Sequence, residues 1–156
     1  TLVVVKEDIL GKVSRKIPSM LDYKVHISKG SMFNTPPVFP IYVSMLTMQW
    51  LKDLGGIAAI EKENEKKSRL IYSEIDLNPL FKGFAAKEDR SDMNATFNLI
   101  NDDLKETFET MVQEAGINGL NGHRSVGGYR ASMYNALSLD SVKVLVEVMS
   151  ELEHKA

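Results

Sequence analysis

The chain has 156 residues, 44% of them apolar and 26% charged, with a formal net charge of −2 and no cysteine. Such a balance describes a globular chain, long enough for one domain or for parts of two, and excludes a disordered tail. Near-neutral charge without a basic block excludes a dedicated nucleic-acid binder, and the lack of cysteine excludes disulfides, thiolate metal sites and a cysteine nucleophile while fitting a reducing, cytoplasmic setting.

In chain order, Leu2–Val5 is a continuous apolar run that reads as a strand buried on both faces. Such a strand needs neighbours, and the next thirty or so residues supply few, so the neighbours are expected outside this sequence. The first residue is threonine, not methionine, and the expectation is that the start is not a natural translation start. Residues 13–37 show no clear periodicity. Met20–Tyr23 and Lys24–Ile27 read as short extended pieces, followed by a turn at residues 28–31. Asn34 and Thr35 stand before Pro36 and Pro37. Asparagine and threonine are good helix caps and proline suits a first helical turn, so a helix is expected from about Pro37 to Leu54, stopped by Gly55 and Gly56. Helix starts also bind anions through free amides. Asn34 and Thr35 are therefore candidate phosphate contacts, with plain capping as the simpler reading. The apolar run over residues 38–51 is too short and mixed to span a bilayer and suits a buried helix, and no signal peptide is visible.

Residues 57–76 read as a second long helix with apolar ends and a charged middle from Glu61 to Arg69. A helix polar all round in its middle bridges domains or simply faces solvent, and a domain boundary is expected near Leu77. Alternation at Met93, Ala95, Phe97 and Leu99 gives a strand. Asn101–Asp103 caps a helix with Leu104, Phe108, Met111, Val112 and Ala115 on one stripe, closed by Gly116. Residues 117–120 read as a short strand. Ser138 caps a last helix whose stripe is Val142, Leu145, Val146, Met149 and Leu152. With the opening run as a further strand, the expected fold is α/β, an open sheet covered by two helices.

Between these elements lies the stretch Gly122–Ala136, which sets His123, Arg124 and Arg130 around Gly127 and Gly128. Arginine offers a planar fork of donors to carboxylate or phosphate, and glycine lets a backbone approach a ligand closely. Arg130–Asn135 alternates as a strand should. The stretch reads as an anion clamp on a strand, or as a surface strand with two solvated arginines. Ser125 beside His123 lacks any nucleophile elbow, and His26, His123 and His154 are isolated, so neither a serine triad nor a metal site is expected.

Six blocks together resemble one family: residues 2–11 (LVVVKEDILG), 17–23 (IPSMLDY), 34–37 (NTPP), 50–56 (WLKDLGG), 90–94 (RSDMN) and 122–136 (GHRSVGGYRASMYNA). In this order they resemble the C-terminal part of the phosphoserine aminotransferase family, class V aminotransferases of fold type I that use pyridoxal 5'-phosphate. The resemblance implies the end of a large cofactor-binding domain with interdomain helices over residues 1–77, and a small α/β domain over residues 78–156. It implies a cytoplasmic homodimer that moves an amino group between phosphoserine and 2-oxoglutarate, giving glutamate, in serine biosynthesis. In bacteria the family also acts on a phosphorylated hydroxythreonine in pyridoxine biosynthesis. By position, Asn34 and Thr35 would contact the cofactor phosphate across the dimer. Arg130 would hold the substrate α-carboxylate. His123 and Arg124 would face the phosphate or distal carboxylate, Arg124 from its own or the neighbouring subunit. The family's Schiff-base lysine lies upstream of the opening strand, and no lysine here has its Ala-x-Lys-Asn-like context. The chain is therefore expected to lack the N-terminal half of the enzyme and to be inactive alone. The alternative is a non-catalytic anion-binding or dimerisation fragment of the same fold.

Overall fold

A computed structural model describes all residues from Thr1 to Ala156. Packing divides the chain between Gln49 and Trp50.

In the first unit, residues 2–5 form no strand. An extended run needs a partner ladder, and the chain offers none here; Leu2 and Val4 are almost fully exposed. Residues 19–28 also depart from expectation. They fold as a single 3-10 turn, Ser19–Leu21, and a short helix α1, Tyr23–Ser28. The local cause is Asp22, whose carboxylate accepts the Lys24 N–H at 2.9 Å and caps α1. Helix α2, Val38–Asp53, forms where expected, but none of its residues is buried. Most of its residues are apolar.

The second unit is a two-layer α/β fold. Helix α3 spans Ile57–Leu77 and is followed by β1 (Phe81–Gly83), β2 (Asn94–Leu99), α4 (Lys105–Glu114), β3 (Tyr129–Ser132) and α5 (Leu139–Lys155). The sheet is antiparallel in the order β1-β2-β3. Its third strand is β1, not the opening run. Residues 117–120 are irregular; only the Leu120 carbonyl joins β3, accepting the Arg130 N–H at 2.6 Å.

Register fixes the two faces of the sheet. Phe81 pairs Leu99, Gly83 and Tyr129 flank Phe97, and Ala95 pairs Ala131. These side chains face the helices, and Phe81, Phe97, Phe108 and Tyr129 make a continuous aromatic cluster with centroids 5.0–5.7 Å apart. Ile71, Ile75, Val142, Leu145, Met149 and Leu152 complete the core from α3 and α5. Three helices, not two, cover this face. The opposite face is polar, with Lys82 beside Asn98, Thr96 beside Arg130, and Asn94 beside Ser132.

The charged middle of α3 is solvated on one face only. Ile60, Asn64, Lys67, Ser68, Ile71 and Ile75 recur at helical spacing and are all buried. The apolar stripe runs on through three polar residues, each of which needs an internal partner. Lys67 is 1% exposed and donates to the carbonyls of Met133, Tyr134 and Leu137 at 3.0–3.1 Å. Asn64 donates to Asn135 Oδ1 at 2.9 Å, and the Ser68 hydroxyl donates to Asp92 at 2.6 Å. A second anchor lies further along α3, where Asp76 accepts both guanidinium nitrogens of Arg90 at 2.6 and 2.9 Å. Arg90 also stacks over Tyr72, 4.5 Å from its ring centre.

Candidate functional site

The loop that leads into β3 is shaped by its glycines. Gly127 and Gly128 have φ of 76° and 63°, a region that side-chain-bearing residues rarely adopt. The Gly122 N–H donates to the Gly128 carbonyl at 2.8 Å, and the His123 carbonyl accepts the N–H groups of Val126 and Gly127 at 2.9 and 2.8 Å. A Cβ on Gly122 would collide with the Gly127 carbonyl, and one on Gly128 with Asn98 Oδ1. The loop can close only with hydrogen at both positions.

This closure brings His123 onto the polar face of the sheet with Arg130. The two line one pocket of about 130 Å³ together with Phe84, Thr96 and Val126, and no carboxylate lines it. Arg130 pairs in register with Thr96, so its position along β3 is set by the ladder. Its guanidinium enters no ion pair, whereas Arg69 and Arg90 are each held by a carboxylate. A free arginine in a carboxylate-free pocket is chemically a receptor for an anion.

At His123 the ring is oriented by Ser125. The Ser125 N–H donates to Nδ1 at 3.3 Å, and its hydroxyl lies 2.8 Å from the same nitrogen. An Nδ1 that accepts an N–H carries no proton in the neutral ring, which assigns the proton to Nε2. Nε2–H is thereby left to donate to a ligand.

Arg124 lies next to this pair and lines an adjoining pocket of about 300 Å³, which shares His123 with the first and is also lined by Asp102, Lys105 and Glu109. Its mixed charge suits an anion less well than the pocket of Arg130. On the helix side of β3, burial next to Glu109 pushes the Tyr129 phenol up to about 12.

Asn34 and Thr35 belong to the first unit. Both are exposed and lie just before α2, which starts at Val38 directly after Pro37. Pro36, Pro37 and Pro40 carry no N–H, so the first turn of α2 offers few amides to an anion. Beside the backbone N–H groups of Val38 and Phe39, the side-chain donors within reach of a phosphate here are the Asn34 amide and the Thr35 hydroxyl.

Lys67 was not among the residues singled out from sequence. The signal was the unbroken helical spacing from Ile60 to Ile75, which places residue 67 on the buried face. Burial holds its ammonium below the ordinary lysine value, opposed by Glu63 one turn back. A Schiff-base lysine must present a neutral amine to a carbonyl compound. Lys67 is sealed from solvent with its three N–H groups committed to three carbonyls, so it does not fit that part. No group of three or more histidine or carboxylate side chains is placed to hold a metal, and no helix is long and apolar enough to cross a membrane.

Residues 1–145 match the family model for class-V aminotransferases. The chain is 69% identical to the phosphoserine aminotransferase of Flavobacterium psychrophilum over 99% of its own length and 44% of the relative's. It superposes on the phosphoserine aminotransferase from Bacillus circulans subsp. alkalophilus with a TM-score of 0.88 and 38% identity, covering 97% of this chain and 42% of that one. It also superposes on a phosphoserine aminotransferase from Trichomonas vaginalis, a structure with bound pyridoxal phosphate, with a TM-score of 0.78 and 35% identity over 88% of this chain and 40% of that one. The chain thus spans less than half the length of these relatives.

Proposed function

The chain belongs to the class-V aminotransferase family, and from that premise we propose that it forms the C-terminal part of a pyridoxal-phosphate enzyme that moves an amino group between phosphoserine and 2-oxoglutarate. The observation that carries the reading is the unpaired Arg130 beside His123 in a pocket without a carboxylate. The first unit closes the large cofactor-binding domain, and the second is the small domain that grips the substrate.

Pyridoxal phosphate supplies the carbonyl and electron sink for amino transfer. The residues of this chain bind and orient. Arg130 holds the α-carboxylate common to phosphoserine and glutamate through two parallel N–H donors. His123 donates Nε2–H to the phosphate or distal carboxylate. Arg124 adds a second cation there, from its own or the neighbouring subunit. Asn34 and Thr35 donate to the cofactor phosphate across a homodimer, whose formation would also cover the apolar surface of α2. The lysine that holds the cofactor and moves the proton is assigned to the N-terminal half. On this reading the chain alone binds anions and contributes to dimerisation but does not catalyse, because its one buried lysine is fully committed.

The test is turnover by the complete cytoplasmic enzyme reconstituted with pyridoxal phosphate. Glutamate should form from phosphoserine and 2-oxoglutarate. Unphosphorylated serine should react on the order of a thousandfold less efficiently, because it leaves the phosphate donors unpaired. Equal rates with serine, or no glutamate from phosphoserine, would sink the proposal.

A further inference from the structure

We propose that Lys67 is a positioning residue for Arg130: its ammonium ties down the far end of the strand that carries the carboxylate-binding arginine. This rests on the assignment of Arg130 given above.

Strand β3 is held at two ends by different means. At its start, the Gly122 N–H closes on the Gly128 carbonyl. At its end, the chain leaves Ser132 and turns toward α5, where the carbonyls of Met133, Tyr134 and Leu137 converge. Backbone carbonyls that face inward need donors, and no backbone element supplies a common one. Lys67 fills that role from α3, with one ammonium serving all three at 3.0–3.1 Å. Asn64, one turn earlier, bonds the Asn135 side chain in the same turn. Met133 in addition donates its N–H to the Met93 carbonyl at 2.7 Å, and Ser68 holds Asp92 just before β2. The buried polar stretch of α3 therefore grips both strands at the edge where β2 begins and β3 ends. Arg130 lies three residues before the first of the carbonyls that Lys67 holds. Without the ammonium, the Met133 and Leu137 carbonyls lose their donor and the Tyr134 carbonyl keeps only the Leu137 N–H at 2.9 Å, so the turn must move to find water or other partners. That shift is transmitted along β3 to the guanidinium.

The geometry distinguishes Lys67 from the arginine it supports. It has no access to a substrate, being 1% exposed, so its effect on binding can arise only through the strand. A residue that merely stabilises the fold changes the fraction of active enzyme and its melting temperature. A residue that places Arg130 changes the KM of α-carboxylate substrates.

The experiment is a double-mutant cycle in the complete enzyme with Lys67→Met, Arg130→Ala and the pair. Lys67→Met should raise the KM for phosphoserine and for glutamate about tenfold, with kcat of the cofactor-loaded enzyme changed less than about threefold. In the pair, the loss should be close to that of Arg130→Ala alone, since an arginine already removed cannot be misplaced. Lys67→Arg, which keeps a cation at the turn, should recover part of the KM. If Lys67→Met does not fold, Asn64→Leu is carried through the same cycle, with an expected KM rise of about threefold. An active wild type in which the losses multiply independently, or in which only the melting temperature falls, would overturn this inference and leave the proposed function standing. A wild type with no turnover of phosphoserine would overturn the proposed function and this inference with it.

Discussion

Gly127 and Gly128 are adjacent and both have positive φ, 76° and 63°, but their surroundings differ. A Cβ on Gly127 meets nothing within 4 Å, whereas on Gly128 it would lie 2.8 Å from the Phe97 carbonyl oxygen and collide with Asn98 Oδ1. Gly127→Ala in the complete enzyme therefore incurs only the left-handed strain of a residue with a side chain, about 1–2 kcal/mol. Part of that is offset by about 0.4–1 kcal/mol from a stiffer unfolded chain. Gly128→Ala carries the same strain and must also push a β2 carbonyl, which the ladder to β3 holds in place. Overpacking against such a neighbour adds about 1–3 kcal/mol. The two variants should differ by that amount in urea unfolding followed by tryptophan fluorescence or circular dichroism. Because Gly128 lies two residues before Arg130, its variant should also show the larger rise in KM for phosphoserine. Equal destabilisation of the two variants would refute the claim that contact with β2, and not φ alone, requires glycine at position 128.

Asp76 is held by Arg90, with Lys87 also nearby, so its carboxylate is pulled from 3.8 to about 2. The folded pKa lies below the unfolded one, so the stabilisation is present above pH 4 and is lost as pH falls toward 2. With the side chain partly exposed this contributes on the order of 1–2 kcal/mol; Asp76→Asn should lower stability at pH 6 and flatten the acid limb, and an unchanged acid limb would discount the pair. Phe108 is fully buried against Phe81 and Tyr129, so Phe108→Ala should cost about 3–5 kcal/mol in chemical denaturation, and a loss below about 1 kcal/mol would mean that the aromatic cluster is not packed as described. Thr35→Ala should weaken retention of pyridoxal phosphate through dialysis; undiminished retention would remove Thr35 from the cofactor site.

Long amphipathic segments were legible in the sequence, and short or unpartnered ones were not. The α5 stripe and its Ser138 cap, and the alternation in β2, carry enough repeats to fix type and facing. Strand β1 has three residues, one of them glycine, so its pairing with β2 and packing on α3 decide it. Helix α1 read as extended because Val25 and Ile27 favour strands, yet one capping carboxylate on Asp22 outweighs that preference. Residues 2–5 have strand composition and no ladder. At the candidate site, the arginines and histidine stand out by residue type. The structure adds the glycine-closed loop that brings His123 to Arg130 and sets Arg124 in the adjoining pocket. Lys67 was hidden because a charged residue in a charged run reads as solvated, although its place on the Ile60–Ile75 stripe marked it as buried.

The role of Arg130 is tested most directly by steady-state kinetics of Arg130→Ala in the complete enzyme. Losing a bidentate charge-assisted pair of about 2–3 kcal/mol should raise the KM for both phosphoserine and glutamate roughly 30- to 150-fold. Unchanged KM values for both substrates, with the cofactor fully bound, would contradict the assignment of the carboxylate to Arg130.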